Sequence, residues 1–281
     1  MYQFESGSTI EMPIEDLRKT VDEKNTGNLP LNGIRHVDFI DRISECFDKR
    51  NITPNVEDVY IAANKSRTLP GVTVLPAFQE KYGEGAPETM LIRRLAGRLT
   101  FEDQSNENYN VALGFIFHQE GIQVAMGANV RVCSNMSILN SENYITTYGR
   151  NKVSLSQLFS LVENMADRYG TVASDNFSTL DSLKEIDLNE PKIERIVGDM
   201  TMKRVKSTIV SGSDLILNQG QISTFSKNIL LSDSYKQDRS MSAYELYNVG
   251  TELMKGNKMD IPGLLEQNVA LGNYFSNFVN N

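Results

Sequence analysis

Three arginines could give this sequence its chemistry. Arg94, Arg98 and Arg131 fall on one face of a predicted β-meander, among alanine, glycine and threonine. Small neighbours allow close approach and guanidinium groups bind phosphate, so this arginine face favours a phosphate backbone lying across it. Arg150 and Lys152 follow the meander. These five residues are therefore the predicted nucleic-acid-binding set, with single-stranded DNA as the expected partner.

The arginine face also has a structural interpretation. The chain carries 36 acidic residues, and such arginines can pair with carboxylates or pack beneath a helix or a neighbouring subunit. Proteins that bind single strands usually add stacking aromatic side chains. The strands place none on this face, although Tyr109, Tyr144 and Tyr148 border it. The sequence alone does not decide between DNA binding and a structural role for these arginines.

Patterns typical of enzymes are mostly missing. The sequence lacks GxxxxGK[ST], HExxH, GxSxG, paired cysteines and a GxGxxG that follows a strand. Its two histidines, His36 and His118, are too few for a multi-histidine metal centre. His118 and Cys133 could serve as base and nucleophile if the fold joined them, but a buried cysteine, with Asn135 fixing a turn, is simpler. We expect no enzyme, no catalytic residue, no metal and no cofactor.

The elements that position the arginines are three strands with one pattern. In residues 91–101, bulky apolar side chains alternate with small or basic ones, and strand side chains alternate between two faces. The same division recurs in the strand that ends at His118 and in the strand after the hairpin signal Glu120-Gly121. These strands predict a β-meander at 91–133 with one apolar face.

Helices and one further strand are predicted around the meander. Residues 11–49 show two helical stripes and residues 56–63 a strand, followed by a loop rich in glycine and proline at 65–87. The stretch 154–169 predicts a helix that covers the apolar face, opened by a capping box of Ser154 and Gln157.

The rest of the chain is predicted to be mainly helical from about residue 175, with Pro191 in a first turn. The expected fold class is therefore α+β: an antiparallel β-meander covered by helices, followed by a mainly helical C-terminal region. We expect an α+β core at 1–170 and a helical region at 171–281.

Composition limits the function classes. The net charge of −8 over 281 residues argues against a surface that binds nucleic acid overall, but allows a local basic patch. No stretch approaches the roughly 20 apolar residues of a membrane span, and no signal-peptide pattern is present. Cys46 and Cys133 predict buried thiols in a reducing compartment. We expect a protein of the cytoplasm, in a bacterial host cell, with no membrane partner.

Three short motifs of the sequence resemble those of a protein family. The run VRVCSN at 130–135, the stretch PNVEDVYIAANKSRTLP at 54–70 and the helix AYELYNVGTE at 243–252 resemble a phage/plasmid-like family of unknown function carried by bacterial mobile elements. The resemblance implies no catalytic residue. Five residues map onto its motifs without known roles: Arg131, Cys133, Asn135, Asn248 and Thr251. We expect Asn248 and Thr251 to be a buried polar pair between helices.

The order of strands and helix is also similar to the core of ring-forming single-strand annealing proteins of phages. The leading hypothesis is a phage or mobile-element protein of DNA metabolism that binds or anneals single-stranded DNA through the arginine face, as a homo-oligomer. The alternative, from another class, is a self-assembling phage structural protein or a host-interaction factor without catalytic activity, in which the small-residue face is a subunit interface.

Overall fold

The structure, a computed structural model, describes ten stretches of the chain. These are residues 9–15, 34–56, 59–64, 91–101, 107–118, 121–130, 135–147, 152–209, 216–255 and 261–279. The strands are β1 (Thr9–Met12), β2 (Pro54–Val56), β3 (Val59–Asn64), β4 (Leu91–Phe101), β5 (Tyr109–His118), β6 (Gly121–Val130), β7 (Asn135–Ser137), β8 (Tyr144–Thr146), β9 (Asp187–Asn189) and β10 (Ser240–Ser242). The helices are α1 (His36–Asp48), α2 (Leu155–Asp167), α3 (Tyr169–Lys184), α4 (Glu190–Ile209), α5 (Gln219–Leu231), α6 (Asp233–Asp238), α7 (Ala243–Lys255) and α8 (Ile261–Val279), with a 3-10 turn at Ser141–Asn143.

The main sheet is antiparallel and is built around the predicted meander. Its strand order is β1-β3-β4-β5-β6-β7, while β2 also pairs with β4 and β8 also pairs with β6. The fold is α+β, as predicted, because the long strands precede a mainly helical C-terminal region. Outside this sheet, β9 and β10 form a two-stranded ribbon that the sequence did not predict.

The apolar face of the meander is the centre of the core. Phe39 of α1 lies with its ring centroid 5.8 Å from that of Phe115 and 5.4 Å from that of Phe117. Further along α1, Phe47 lies 4.5 Å from Phe101 of β4. Each of these rings is fully buried, and burying a large apolar side chain contributes about 1.5–3 kcal/mol. Helix α1 therefore covers the apolar face along its length.

Helix α2 covers the same core beside α1. Ser154 caps its N-terminus: the Ser154 hydroxyl accepts from the Gln157 amide, and the Gln157 side chain accepts from the Ser154 amide. This is the capping box that the sequence predicted. Phe159, one turn into the helix, is buried 6.1 Å from Phe39.

One N-terminal prediction was wrong. Residues 11 and 12, expected to be helical, belong to β1, where Met12 pairs with Val59 and Thr9 pairs with Ala62. Pairing with a distant strand outweighs the local helical pattern. The predicted strand at 56–63 is present as β2 and β3. The predicted loop at 65–87 and most of the first predicted helix lie outside the described residues.

The helical region continues the core of the sheet. Buried apolar side chains from α1 to α8 belong to one cluster, and α3 packs against β5 and β6. The predicted boundary at residues 170 and 171 falls in the first turn of α3, and it stays a prediction. No helix in the described stretches is long and apolar enough to span a membrane.

Two glycines hold the chain segment 137–139 between the sheet and α8. A Cβ on Gly127 of β6 would lie 2.9 Å from the carbonyl carbon of Ser137. On the other side, a Cβ on Gly272 of α8 would lie 2.7 Å from the carbonyl carbon of Ile138 and 3.0 Å from Cα of Leu139. Backbone packs directly on backbone at both positions, which only glycine permits.

Residues 137–139, which we call the clamped segment, have backbone groups that form hydrogen bonds with polar side chains. The Ile138 amide donates to Asn268 Oδ1 over 3.1 Å, and the Ser276 hydroxyl donates to the Leu139 carbonyl over 2.9 Å. From α3, Asn176 Oδ1 accepts from the Leu139 amide at 3.4 Å. Buried backbone groups need such partners, so these polar side chains on α3 and α8 have a structural role.

Candidate nucleic-acid interface

The five predicted contact residues lie in different surroundings. Arg94 and Arg98 are in β4, and Lys152 is exposed beyond β8. Arg131 and Arg150 lie outside the described residues. The strand register therefore decides which of these cations can act together.

Arg98 is buried, with only 6% of its surface exposed. Its Nη1 donates to Asn129 Oδ1 over 2.9 Å, and Asn129 Nδ2 donates to Asn110 Oδ1 over 2.8 Å. Gly114 pairs with Arg98 on the neighbouring strand, and its missing side chain leaves room for the arginine to extend across β5. Arg98 therefore ties β4 to β6, and the exposed position expected for it was wrong.

The other side chains of the arginine face whose burial the structure describes are buried as well. Ala112, Gln123 and Ala125 are fully inaccessible, and Ala96 is nearly so. The described part of this face consequently offers no open surface on which a DNA strand could lie. For Arg98, the structural interpretation raised by the sequence fits better than the binding one.

Arg94 lies at what we call the hairpin end of the sheet, where β5 and β6 join. Its backbone pairs with that of His118, and His118 pairs with Gly121 across the hairpin. Two rows further inward, Gln123 of β6 pairs with Thr146 of β8. Arg94 thus holds a position on the outermost described row of the meander.

Lys152 reaches the same end of the sheet from the opposite edge. Its backbone forms a parallel bridge with Thr146, which places it two rows inward from the row of Arg94. Two of the five predicted cations therefore lie at the hairpin end, on opposite sides of the meander. The sequence could not show this, because Lys152 follows the meander by some twenty residues.

Val130 marks the other end of the meander. It pairs with Tyr109 and stands nine residues along β6 from Gly121, a distance of roughly 30 Å in a strand. Arg131 follows Val130 in sequence and itself lies outside the described residues. The His118–Cys133 pair that the sequence raised also involves a residue, Cys133, outside the described stretches.

The aromatic residue that begins β5 is not available for stacking on a base. Tyr109 is 1% exposed, and its ring stacks on Phe177 at 5.4 Å between centroids. Its hydroxyl donates to Asp181 Oδ1 over 2.9 Å, and the Lys184 ammonium lies 5.0 Å from its ring centroid. Burial raises the pKa of Tyr109 to about 12. Tyr109 therefore anchors β5 to α3.

Two further reactive side chains, Cys46 and His36, are buried. Cys46 is buried and its thiol lies 3.1 Å from the Arg42 carbonyl, and burial raises its pKa, so the nucleophilic thiolate is disfavoured. His36 is buried against Phe117 at 4.6 Å, and burial lowers its pKa to about 4. Among the described residues, no group of three or more His, Cys, Asp or Glu could hold a metal ion.

The two residues that map onto the C-terminal family motif lie on one helix. Thr251 is buried in α7, and its hydroxyl donates to the Asn248 carbonyl over 3.0 Å. This bond lies within the helix, and the expected bonding of the pair between helices stays a prediction. Asn135 begins β7 and pairs with Val130, while Cys133 lies outside the described residues.

Comparison of the chain with protein-family models, with curated proteins and with solved structures finds no match. The case for a function therefore depends on the geometry of the sheet and on its charges.

Substituting Arg98 tests its structural role. We expect Arg98→Ala to lower the free energy of unfolding by about 2 kcal/mol, because Asn129 Oδ1 loses its donor inside the protein. Lys152→Ala should change it by less than about 0.5 kcal/mol, since Lys152 is exposed. Urea denaturation followed by circular dichroism measures both. Equal stability of the two variants would contradict a structural role for Arg98.

Proposed function

We propose that this protein binds single-stranded DNA without catalysing a reaction, and that the contact surface is the hairpin end of the sheet. The observation that supports this most directly is the placement of Arg94 and Lys152 within two rows of each other at that end. Both cations come from segments that the sequence analysis selected for phosphate binding. Annealing of complementary strands, the expected activity, needs no nucleotide hydrolysis.

The separation of these two cations suits an extended ligand. Four strand spacings lie between β4 and Lys152, across β5, β6 and β8. At about 4.8 Å for each spacing, the line is roughly 19 Å long. A small anion cannot reach both ends of such a line, whereas several successive phosphates of a single strand can. Contacts of this kind position the backbone and carry no sequence information.

The proposed contact set differs from the predicted one at two residues. Arg94, Arg150 and Lys152 remain proposed phosphate contacts, while Arg98 is removed because it is buried and bonded to Asn129. Arg131 is left out because it follows Val130, the residue of β6 farthest from the hairpin. The arginine face then acts as a scaffold, and DNA binds at its margin. The net charge of −8 makes binding weak and sensitive to salt, because the rest of the surface repels the strand.

Three alanine variants and one control test the contact set. Binding of labelled single-stranded DNA is measured by fluorescence anisotropy for Arg94→Ala, Arg150→Ala, Lys152→Ala and the control Lys227→Ala, an exposed lysine of α5. We expect each of the first three to weaken binding several-fold and to reduce the slope of log affinity against log salt by about 0.7, one released counterion contact.

Two further variants, Lys227→Ala and Arg98→Ala, show whether the loss of binding is specific to the proposed contact residues. Lys227→Ala should leave both affinity and slope unchanged, and Arg98→Ala, measured where it is folded, should leave the slope unchanged. If Arg98→Ala reduced the slope while Lys152→Ala did not, the strand would have to contact the arginine face itself, and the hairpin-end surface would be wrong.

The setting of this activity follows from the resemblance. A phage or mobile-element protein of DNA metabolism would act in the cytoplasm of the bacterial host cell.

The alternative function, self-assembly or binding of a host protein, is favoured by another observation: α4 exposes Met202 and Val205.

A further inference from the structure

Helix α4 has a second stripe on the side that faces away from the core. Its buried side chains Ile193, Ile196 and Met200 face the other helices. The opposite side carries what we call the outer stripe: Arg195, Gly198, Met202 and Val205. Their spacing of three, four and three residues is the repeat by which one helix packs along another in a coiled coil.

The outer stripe is open to a partner. Met202 is 53% exposed and Val205 is 43% exposed, whereas Met200, only two residues away, is buried. A Cβ built on Gly198 meets no atom within 4 Å. An exposed glycine inside a helix costs about 1 kcal/mol relative to alanine, and its missing side chain allows a second helix to approach closely.

The charges of α4 divide between its two halves. Residues 190–199 contain three carboxylates and two cations, a net charge of −1, while residues 200–209 contain three cations and no carboxylate, a net charge of +3. The cations are Lys203, Arg204 and Lys206. A parallel pair of such helices would place +3 beside +3. An antiparallel pair places each basic half beside the half that holds the carboxylates.

From these observations we infer that α4 is a homodimer interface: the outer stripes of two copies pack against each other antiparallel, about a two-fold axis. The occupant is a second copy of this chain because the stripe complements itself when reversed. Met202 of one copy faces the gap at Gly198 of the other, Val205 lies against the stem of Arg195, and Glu194 lies beside Lys206. Such an interface is isologous and closes as a dimer. At 20 residues, α4 is roughly 30 Å long.

The proposed dimer interface differs from the subunit interface that the sequence suggested. The sequence analysis placed a possible interface on the small-residue face of the sheet, but the described part of that face is buried within the chain. The outer stripe lies on the helical region instead. The inference does not depend on DNA binding, so either proposal can fail without the other.

Sedimentation velocity over a range of protein concentrations tests the dimer. We expect the natural chain to form dimers and the variant Met202→Glu/Val205→Glu to dissociate at least tenfold more readily. The matched control is Leu230→Glu/Leu231→Glu, two apolar residues of α5 that are 56% and 54% exposed, and it should dimerise like the natural chain. Circular dichroism verifies that the variants are folded. A natural chain that is monomeric at every concentration, or stripe variants that dimerise normally, would overturn the proposal.

Charge exchange at one pair tests the orientation. In an antiparallel dimer Glu194 of one copy lies beside Lys206 of the other, so Glu194→Lys places two cations together and should weaken dimerisation several-fold. Adding Lys206→Glu reverses the pair and should restore the dimer. In a parallel dimer Glu194 lies beside Glu194, so Glu194→Lys replaces one like-charged pair by another of equal size and changes little. A Glu194→Lys variant that dimerises normally, or a double variant that fails to restore the dimer, would therefore overturn the antiparallel arrangement.

Discussion

Replacing Gly272 by alanine is expected to lower the free energy of unfolding by about 3 kcal/mol or more. The added methyl would overlap the Ile138 carbonyl, whose carbon would be 2.7 Å away, and would press on Cα of Leu139 at 3.0 Å. Forcing extra volume into a packed interior costs about 1–3 kcal/mol. Here the obstacle is backbone, and moving it also weakens the hydrogen bonds that Asn268 and Ser276 make to the segment.

Two other helical glycines provide a graded comparison. In Gly250→Ala the new methyl would lie 2.8 Å from Leu271 Cδ2, the end of a flexible side chain, so a loss of about 1 kcal/mol is expected. Gly170→Ala meets nothing within 4 Å and should be neutral or slightly stabilising. Urea denaturation ranks the three variants. If Gly272→Ala were as stable as Gly170→Ala, α8 could not pack on the clamped segment as described.

Acid is expected to destabilise the protein through His36. Burial lowers its pKa in the folded protein to about 4, whereas an unfolded histidine titrates near 6.5. Between these values the unfolded chain binds the extra proton and the folded chain does not. The stability contribution is therefore fully present above pH 6.5 and is lost as the pH falls towards 4. The loss amounts to about 3 kcal/mol from this residue.

The matched variant is His36→Phe, which keeps a ring against Phe117 and removes the titrating group. The free energy of unfolding is measured by urea denaturation at several pH values between 7 and 4, and the natural chain is compared with the variant. The difference between them should change by about 3 kcal/mol over this interval. Parallel pH profiles would show that His36 is not buried in its neutral form.

The sequence predicted the meander well, because alternation along a strand is a local property. Residues 91–101 form β4 as predicted, and Ser154 and Gln157 form the predicted capping box. Each of these features depends on neighbours within a few residues. Residues 11 and 12 were assigned to a helix for the same reason, and only the pairing with β3 shows that they belong to a strand.

The candidate site was harder to predict, because burial depends on distant residues. Arg98 looks like an exposed cation beside alanine and glycine, and its bond to Asn129, 31 residues away, has no signal in the sequence. The grouping of Arg94 with Lys152 depends on the register of β8. In α4, both stripes are visible in the sequence, but only the packing shows which one is buried.

The salt dependence of single-stranded DNA binding by the natural chain tests the central claim most directly. With three phosphate contacts, from Arg94, Arg150 and Lys152, log affinity should fall linearly with log salt with a slope of about −2, at about 0.7 for each contact. Fluorescence anisotropy of a labelled strand, titrated at salt concentrations from about 20 to 200 mM, gives this slope. Absence of binding at the lowest salt, or binding that does not change with salt, would contradict the proposed function.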